Sequence, residues 1–417
     1  MGSFCFKYFP LLDDYIQYGT YPFVNKPFCE VYIKARLFAY RPFAGLADIY
    51  LWGRFWGALG AALFIITLMH AASAYLFMIT AENLNAPLGM LFTTIYLLCP
   101  INFEASYWIS ASTRIIIGLF FTSLSAYFAS KEKNIAHFVF QFIAMFLYEQ
   151  IAALSFAVSL IIICRKKQWR GLFPLAVNML IFILYYAFFV KLGYMRGNIS
   201  REILQYDKLK QIIYPWLLTN LYTKGFVRGI KMGGLNIIAM LIISVCFGAF
   251  EKRNAVSPKM LLVGGLLFIA PQVPILLLSG NNVSFRTCAP SLVGAAIMAD
   301  TWLCNSINFK RLATVVLSFI FLVVSISELA DYRENYLVDR KIVQYVSERL
   351  NLSQPNAVIG AKDTYIEQNV FFVDHIKSVT SSDWALTGCI RQHLSDRTIP
   401  MIEINPSSGE GINLIDF

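Results

Sequence analysis

The chain has 417 residues, 57% of them hydrophobic and only 14% charged, against roughly 45–50% and about 25% in soluble domains. Together with a mean hydropathy of +0.58, this excludes a soluble enzyme and makes the chain a polytopic α-helical membrane protein. The formal charge of +10 does not point to a nucleic-acid partner, because much of the Lys and Arg lies in short loops between apolar runs, where it orients helices.

Residues 1–51 carry no long apolar run and read as a first loop with interfacial helices. Within it stands Phe9-Pro10-Leu11-Leu12-Asp13-Asp14-Tyr15-Ile16-Gln17-Tyr18-Gly19, followed by Arg41-Pro42 shortly before the first long run. A partly buried Asp beside a second Asp holds its proton more tightly, which suits a general base. The same pair fits a solvated loop turn or a helix cap. Lys34, Arg36 and Arg41 also fit an interfacial helix lying on anionic headgroups.

Residues 52–327 form the membrane domain. A hydrocarbon core about 30 Å thick takes roughly 20 apolar residues per helix. The runs fall near Trp56–Ile79, Pro87–Ile101, Ile115–Ala129, Ile135–Tyr148, Ile151–Cys164, Leu172–Leu192, Leu235–Phe250, Met260–Leu278, Pro290–Cys304 and Ala313–Ile326, about ten crossings on that ruler. Several are short, which points to tilted, broken or re-entrant helices around a cavity. Alternating crossings put Lys131 with Lys133, Arg165 to Lys167 with Arg170, Lys252 with Arg253 and Lys259, and Lys310 with Arg311 on one side. The positive-inside rule makes that side cytoplasmic and both termini extracytoplasmic. A start outside without a preceding apolar segment leads us to expect a further helix upstream.

The Asn102–Arg114 segment, the turn at Glu149, the 193–233 loop and the 280–286 turn then face outward. Arg114 and Arg286 each adjoin an apolar helix, where an unpaired charge is expensive. They suit a phosphate through parallel donors, and they equally suit snorkelling to the interface. Lys224 and Arg228 are further candidates of the same kind. Glu104, in Asn102-Phe103-Glu104-Ala105-Ser106-Tyr107-Trp108, and Glu149, in Leu147-Tyr148-Glu149-Gln150, are the costly acids. Carboxylates beside the rings of Tyr107, Trp108 and Tyr148 suit a sugar, whose hydroxyls want acceptors and whose C–H faces want rings. Alternatively Glu149 pairs with an Arg to hold two helices, and the aromatics form an interfacial belt.

From about Glu328 the pattern changes. An amphipathic helix (Leu337, Ile342, Val343, Val346, Leu350) leads to strand-like runs at Ala357–Gly360, Val370–Val373 and Ile399–Ile404, with a helical stretch around Trp384–Leu394. Residues 328–417 therefore read as a small extracytoplasmic α/β domain, a packing or acceptor-recognition module. The eight cysteines and four histidines are dispersed, giving no disulfide framework and no metal motif.

A carboxylate motif in the first outward loop, an Arg-Pro before a long helix, about ten crossings and a small exterior C-terminal domain together resemble the GT-C class of integral membrane glycosyltransferases. Within that class the likeness is to bacterial enzymes of the GtrII-like glucosyltransferase kind. The resemblance covers the architecture of nearly the whole chain, and its one local motif is the Asp pair with its surroundings. Such proteins usually have a helix before the carboxylate loop, which this sequence lacks.

The resemblance implies a sugar moved from a polyprenyl-phosphate donor to a cell-surface glycan or lipid acceptor, at the outer face of a bacterial plasma membrane. Asp13 or Asp14, with Asp14 preferred, would be the base. Arg41, Arg114, Arg286, Lys224 and Arg228 would hold the donor phosphate, and Glu104, Tyr107, Trp108, Tyr148 and Glu149 the sugar or acceptor. Polyprenyl phosphate is a stable leaving group, so arginines can replace a metal, although a divalent cation is compatible with it. A ligase or polymerase of lipid-linked oligosaccharides is an alternative that leans more on arginines. A transporter or flippase is another; it favours repeated halves, and the sequence shows none and gathers its charges at one face.

Overall fold

A computed structural model describes residues 8–16, 27, 41–55, 58–191, 206–217, 219–252, 258–277, 283–303, 306–349, 358–361, 378–404 and 411–412. The described chain is dominated by helices. They are α1 (Leu59–Asn83), α2 (Met90–Leu98), α3 (Ile109–Ser130), α4 (Asn134–Met145), α5 (Glu149–Lys166), α6 (Leu172–Lys191), α7 (Tyr206–Leu217), α8 (Thr219–Gly233) and α9 (Asn236–Ala249). The chain continues through α10 (Pro258–Ile269), α11 (Leu292–Trp302) and α12 (Ile307–Arg349) to β1 (Val358–Ala361), α13 (Asp383–Leu394), β2 (Glu403–Ile404) and β3 (Gly411–Ile412).

Among the described residues, five helical stretches are long and apolar enough to cross a bilayer. They are α1, α3, α6 with the turn before it, α10 with its continuation to Leu277, and α12. A sixth is possible if the end of α8 and α9, bent by 120° against each other, count as one span. The architecture is that of a helical membrane protein. The other apolar runs of the sequence form shorter helices: α2 and α11 are 9 and 11 residues long and α4 is 12. At about 1.5 Å per residue, none of these three crosses a hydrocarbon core alone. Local sequence sets their limits, since α2 begins after Gly89 and ends before Pro100, and α11 begins after Pro290.

The helix α3 is the most enclosed of the five. It packs against α1, α4 and α5, and its Ser and Thr side chains back-bond within the helix or face protein, as with Ser125 to His137 Nδ1 at 2.8 Å. By contrast α6 exposes Phe173, Leu180, Ile183, Leu184 and Phe188, an apolar surface of the kind that faces lipid.

The helix α12 has 43 residues without Gly or Pro. The sequence reading placed a domain boundary between 327 and 328. A single uninterrupted helix runs through that position, because nothing between Ile307 and Arg349 breaks the backbone ladder. Its apolar part packs with α2, α8 and α9, and its far end meets α13. There a second apolar core joins Ile342, Val343 and Val346 to Leu386 and Ile390, and Leu12 and Tyr15 of the first loop enter it. The three short strands form a parallel sheet in the order β2-β1-β3, with Val358 opposite Glu403 and Gly360 opposite Gly411. Of the expected C-terminal elements, β1, β2 and α13 match runs named from the sequence, and Val370–Val373 lies outside the described residues.

One charged cluster corrects the one-sided picture. Lys310, fully buried, lies 3.1 Å from Glu251 and 2.9 Å from Asp300. Asp300 accepts from Gly89 N and Phe92 N at the start of α2, and Glu251 from Leu91 N and Thr314 Oγ1. A side chain at position 89 would collide with Glu251 and Lys310. From Lys310 to Tyr332 the rise along α12 is roughly 33 Å at about 1.5 Å per residue. Charge is therefore buried at both ends of the bundle.

Candidate functional site

The first loop reaches the bundle at the start of α3. Leu11 is extended and the chain then closes a single 3-10 turn, Leu12–Tyr15. In that turn Asp14 points toward α3 while Leu12 and Tyr15 point into the C-terminal core. Asp14 Oδ2 accepts from Leu11 N at 3.1 Å and from the Tyr8 hydroxyl, and Oδ1 accepts from Ser110 N at 3.2 Å. Tyr8 Oη in turn accepts from Ile109 N at 3.1 Å. Two of the orphan N–H groups of α3 are thus satisfied by the first loop, and the carboxylate sits at the positive end of the helix dipole. Burial raises the Asp14 pKa to about 7 against the lowering effect of these three donors. Asp13 is half-buried, and its charge reaches both Asp14 and Asp48.

Three arginines come together beside this cap. Arg41, just before the Pro42–Leu46 helical turn, places Nε 3.1 Å and Nη2 3.0 Å from Glu149 Oε2, and its guanidinium lies 4.4 Å from the centre of the Tyr148 ring. Tyr186 Oη also donates to Glu149, at 2.9 Å. Arg114, one turn into α3, meets the fully buried Asp48 at 3.0 Å and turns back to the carbonyl and hydroxyl of Ser110. Arg286, in the short helix Phe285–Cys288, lies 3.8 Å from Glu104 and 5.2 Å from the centre of the Trp108 ring. Burial raises the pKa of the Tyr148 phenol, and the guanidiniums of Arg41, Arg286 and Arg114 each pull it back. Tyr148 thus lies against Arg41 and within electrostatic reach of the other two cations. Arg41, Arg114 and Arg286 keep 34%, 21% and 32% of their side-chain surface exposed, whereas Asp14, Asp48 and Glu104 are buried.

The predicted sugar-contact residues divide. Glu104, Trp108, Tyr148 and Glu149 lie within this group. Tyr107 belongs to its buried wall: its hydroxyl accepts from Phe9 N at 3.0 Å, and its ring packs on Tyr332, Phe103 and Tyr8. Glu149 adopts the helix-pairing arrangement with an Arg that the sequence left open. Asp14 adopts the helix-cap arrangement.

Lys224 and Arg228 belong to a different place. Both are on α8, where Lys224 is exposed and Arg228 is engaged by Asp331 and, at 3.4 Å, by Glu334. Lys34 and Arg36 lie outside the described residues. Among the described residues no group of three or more His, Cys, Asp or Glu side chains is arranged to hold a metal ion.

Sequence reasoning missed Asp48, Tyr8 and Tyr186. Asp48 was findable by the rule that singled out Glu104 and Glu149, an acid adjoining an apolar helix. Tyr8 and Tyr186 carry no sequence signal, since one tyrosine looks like another until its neighbour is known. Comparison with protein-family models, with curated proteins and with solved structures returns no match.

Proposed function

We propose that the chain is a membrane glycosyltransferase that moves a sugar from a polyprenyl-phosphate donor to a glycan or lipid acceptor at the extracytoplasmic face. The observation that carries this reading is the grouping of Arg41, Arg114 and Arg286, from three separate segments, beside the start of α3 and α5, with Arg41 over Tyr148, Arg114 on Asp48 and Arg286 over Trp108. Three partly exposed guanidiniums at the edge of an apolar helical body suit a phosphate monoester whose tail lies in lipid. Each has a carboxylate partner, so the group is close to charge balance and an anion would bind by exchange with a carboxylate.

In this reading the acceptor hydroxyl gives its proton to a first-loop carboxylate as its oxygen attacks the anomeric carbon. The bond from that carbon to the phosphate oxygen breaks, and the electron pair leaves on the polyprenyl phosphate, held by the arginines. The geometry favours Asp13 over Asp14 as the base. Both oxygens of Asp14 are already committed to donors, whereas Asp13 is half-exposed beside it. Asp14 then fixes the loop that presents Asp13.

The test is release of polyprenyl phosphate from a panel of polyprenyl-phosphate sugars by the purified protein, with a membrane glycan extract as acceptor. Release by the native chain and its loss in Asp13→Asn, with donor binding retained, is the expected result. Unchanged release in Asp13→Asn removes the base assignment, and no release from any donor removes the transferase reading.

A further inference from the structure

The two cations left out of the arginine group sit on a helix with a geometry of its own. Gly234 turns the chain with φ +48°, and the segments Tyr222–Gly233 and Asn236–Ala249 meet at 120°. Beyond the bend α9 runs down α12, from Ile326 beside Gly233 to Val315 beside Gly248. The approach of α8 is different. Gly225 faces Val324, Gly229 faces the carbonyl of Val323, and Gly233 faces Ile326. Nine residues of α8, Gly225 to Gly233, thus meet α12 within Val323 to Ile326, so α8 crosses it instead of following it. That level is where the apolar stretch of α12 gives way to Glu328, Asp331 and Glu334.

Away from the glycine stripe, Lys224, Arg228 and Lys231 share one face at the i, i+4, i+7 spacing. Lys224 and Lys231 are exposed, and Arg228 is tied back to Asp331. Between this basic face and α12 lie Val227 and Ile230, 49% and 39% exposed. A basic stripe above an exposed apolar stripe, on a helix crossing a membrane helix at its polar limit, has the composition of a helix lying in the headgroup layer.

We propose that α8 docks the phosphate headgroups of anionic phospholipids of the surrounding bilayer through Lys224 and Lys231, with Val227 and Ile230 dipping into the acyl boundary. An ammonium near an anionic surface gains attraction that a zwitterionic headgroup, with no net charge, does not supply. Lys224 is then a bilayer contact, not a donor ligand. This proposal does not depend on the transferase reading.

The test uses the full chain in nanodiscs of phosphatidylcholine and phosphatidylglycerol, with the lipids it retains on release into detergent counted by native mass spectrometry. The native protein retains phosphatidylglycerol in excess of its share. Lys224→Gln combined with Lys231→Gln weakens that retention by about 30-fold, the ratio two such lysines supply, and leaves phosphatidylcholine unchanged. Lys224→Arg with Lys231→Arg restores it. Unchanged phosphatidylglycerol in the Gln pair overturns the proposal. Polyprenyl phosphate added as a competitor separates the sources: its retention is untouched in the Gln pair, and its selective loss would assign the stripe to the carrier lipid instead. Both lysines are exposed, and Gln keeps part of the aliphatic stem, so the fold is expected to survive both substitutions.

Discussion

Lys310 and Asp300 form an ion pair of 2.9 Å with no exposed surface on Lys310 and 1% on Asp300. Glu251 closes the other side of the ammonium at 3.1 Å. The cluster carries one positive and two negative charges, and the excess faces the first N–H groups of α2, where the helix dipole is positive. It joins α2, the end of α9, α11 and α12 at a point where Gly89 alone leaves room.

Removing the cation from such a cluster leaves two carboxylates buried against each other, which costs about 3–5 kcal/mol. Lys310→Met is expected to lower the thermal midpoint in detergent sharply. Adding Asp300→Asn and Glu251→Gln to it should recover much of the loss, because the cost lies in unpaired charge. Equal midpoints for Lys310→Met and the native protein would show that the carboxylates take up protons instead of requiring the lysine.

Asp14 predicts a pH dependence of stability. Its pKa is about 7 in the folded chain against 3.8 for the free side chain, so the folded state binds the extra proton between those values. Stability contributed by the protonated group is complete below about pH 4, falls as pH rises to about 7, and is level above. The full swing is at most about 4 kcal/mol. In Asp14→Asn the slope between pH 5 and 8 should flatten. Midpoints measured across that range in both proteins decide it; parallel curves would remove Asp14 as the source.

Much of this was legible in the sequence. The five long spans coincide with predicted runs, and Glu104, Arg114, Glu149 and Arg286 stand out because charge beside apolar helix is expensive and therefore placed with care, while Asp14 stands out as one of an acidic pair and Arg41 as the Arg-Pro before the first long run. Pairing was not legible. Arg41 and Glu149 are 108 positions apart, and no local pattern says that this Arg meets this Glu. Lys310 was read as an orienting loop charge because it stands beside Arg311. Only the return of Glu251 and Asp300 to the start of α2 reveals it as buried. Of the roughly ten apolar runs, those around Gly89, Pro100 and Pro290 form helices too short to span alone among the described residues, in keeping with the broken or re-entrant helices that their length suggested.

Glu149 offers a test of the exchange idea. If it competes with the phosphate for Arg41, Glu149→Gln frees that guanidinium and raises affinity for polyprenyl phosphate by about tenfold, since a hydrogen bond to a charged group is worth roughly 1.5–3 kcal/mol. Polyprenol, which has no phosphate, should be unaffected. Weaker phosphate binding in Glu149→Gln would mean that the carboxylate orders Arg41 for the ligand instead of competing with it.

The adjacent aspartates should separate cleanly. Asp13 is half-exposed and Asp14 caps α3, so Asp13→Asn is expected to leave the thermal midpoint unchanged while abolishing sugar transfer. Asp14→Asn offers one acceptor oxygen where three donors converge, and it loosens the joint between the first loop and α3. At pH 5, where the native Asp14 is largely protonated and donates through its own hydroxyl, the substitution should cost about 1 kcal/mol or less. Transfer should fall in Asp14→Asn because Asp13 is no longer held in place, and adding Asp14→Asn to Asp13→Asn should cost little more. Full additivity of the two losses would show independent roles, and full activity in Asp13→Asn with none in Asp14→Asn would return the base to Asp14.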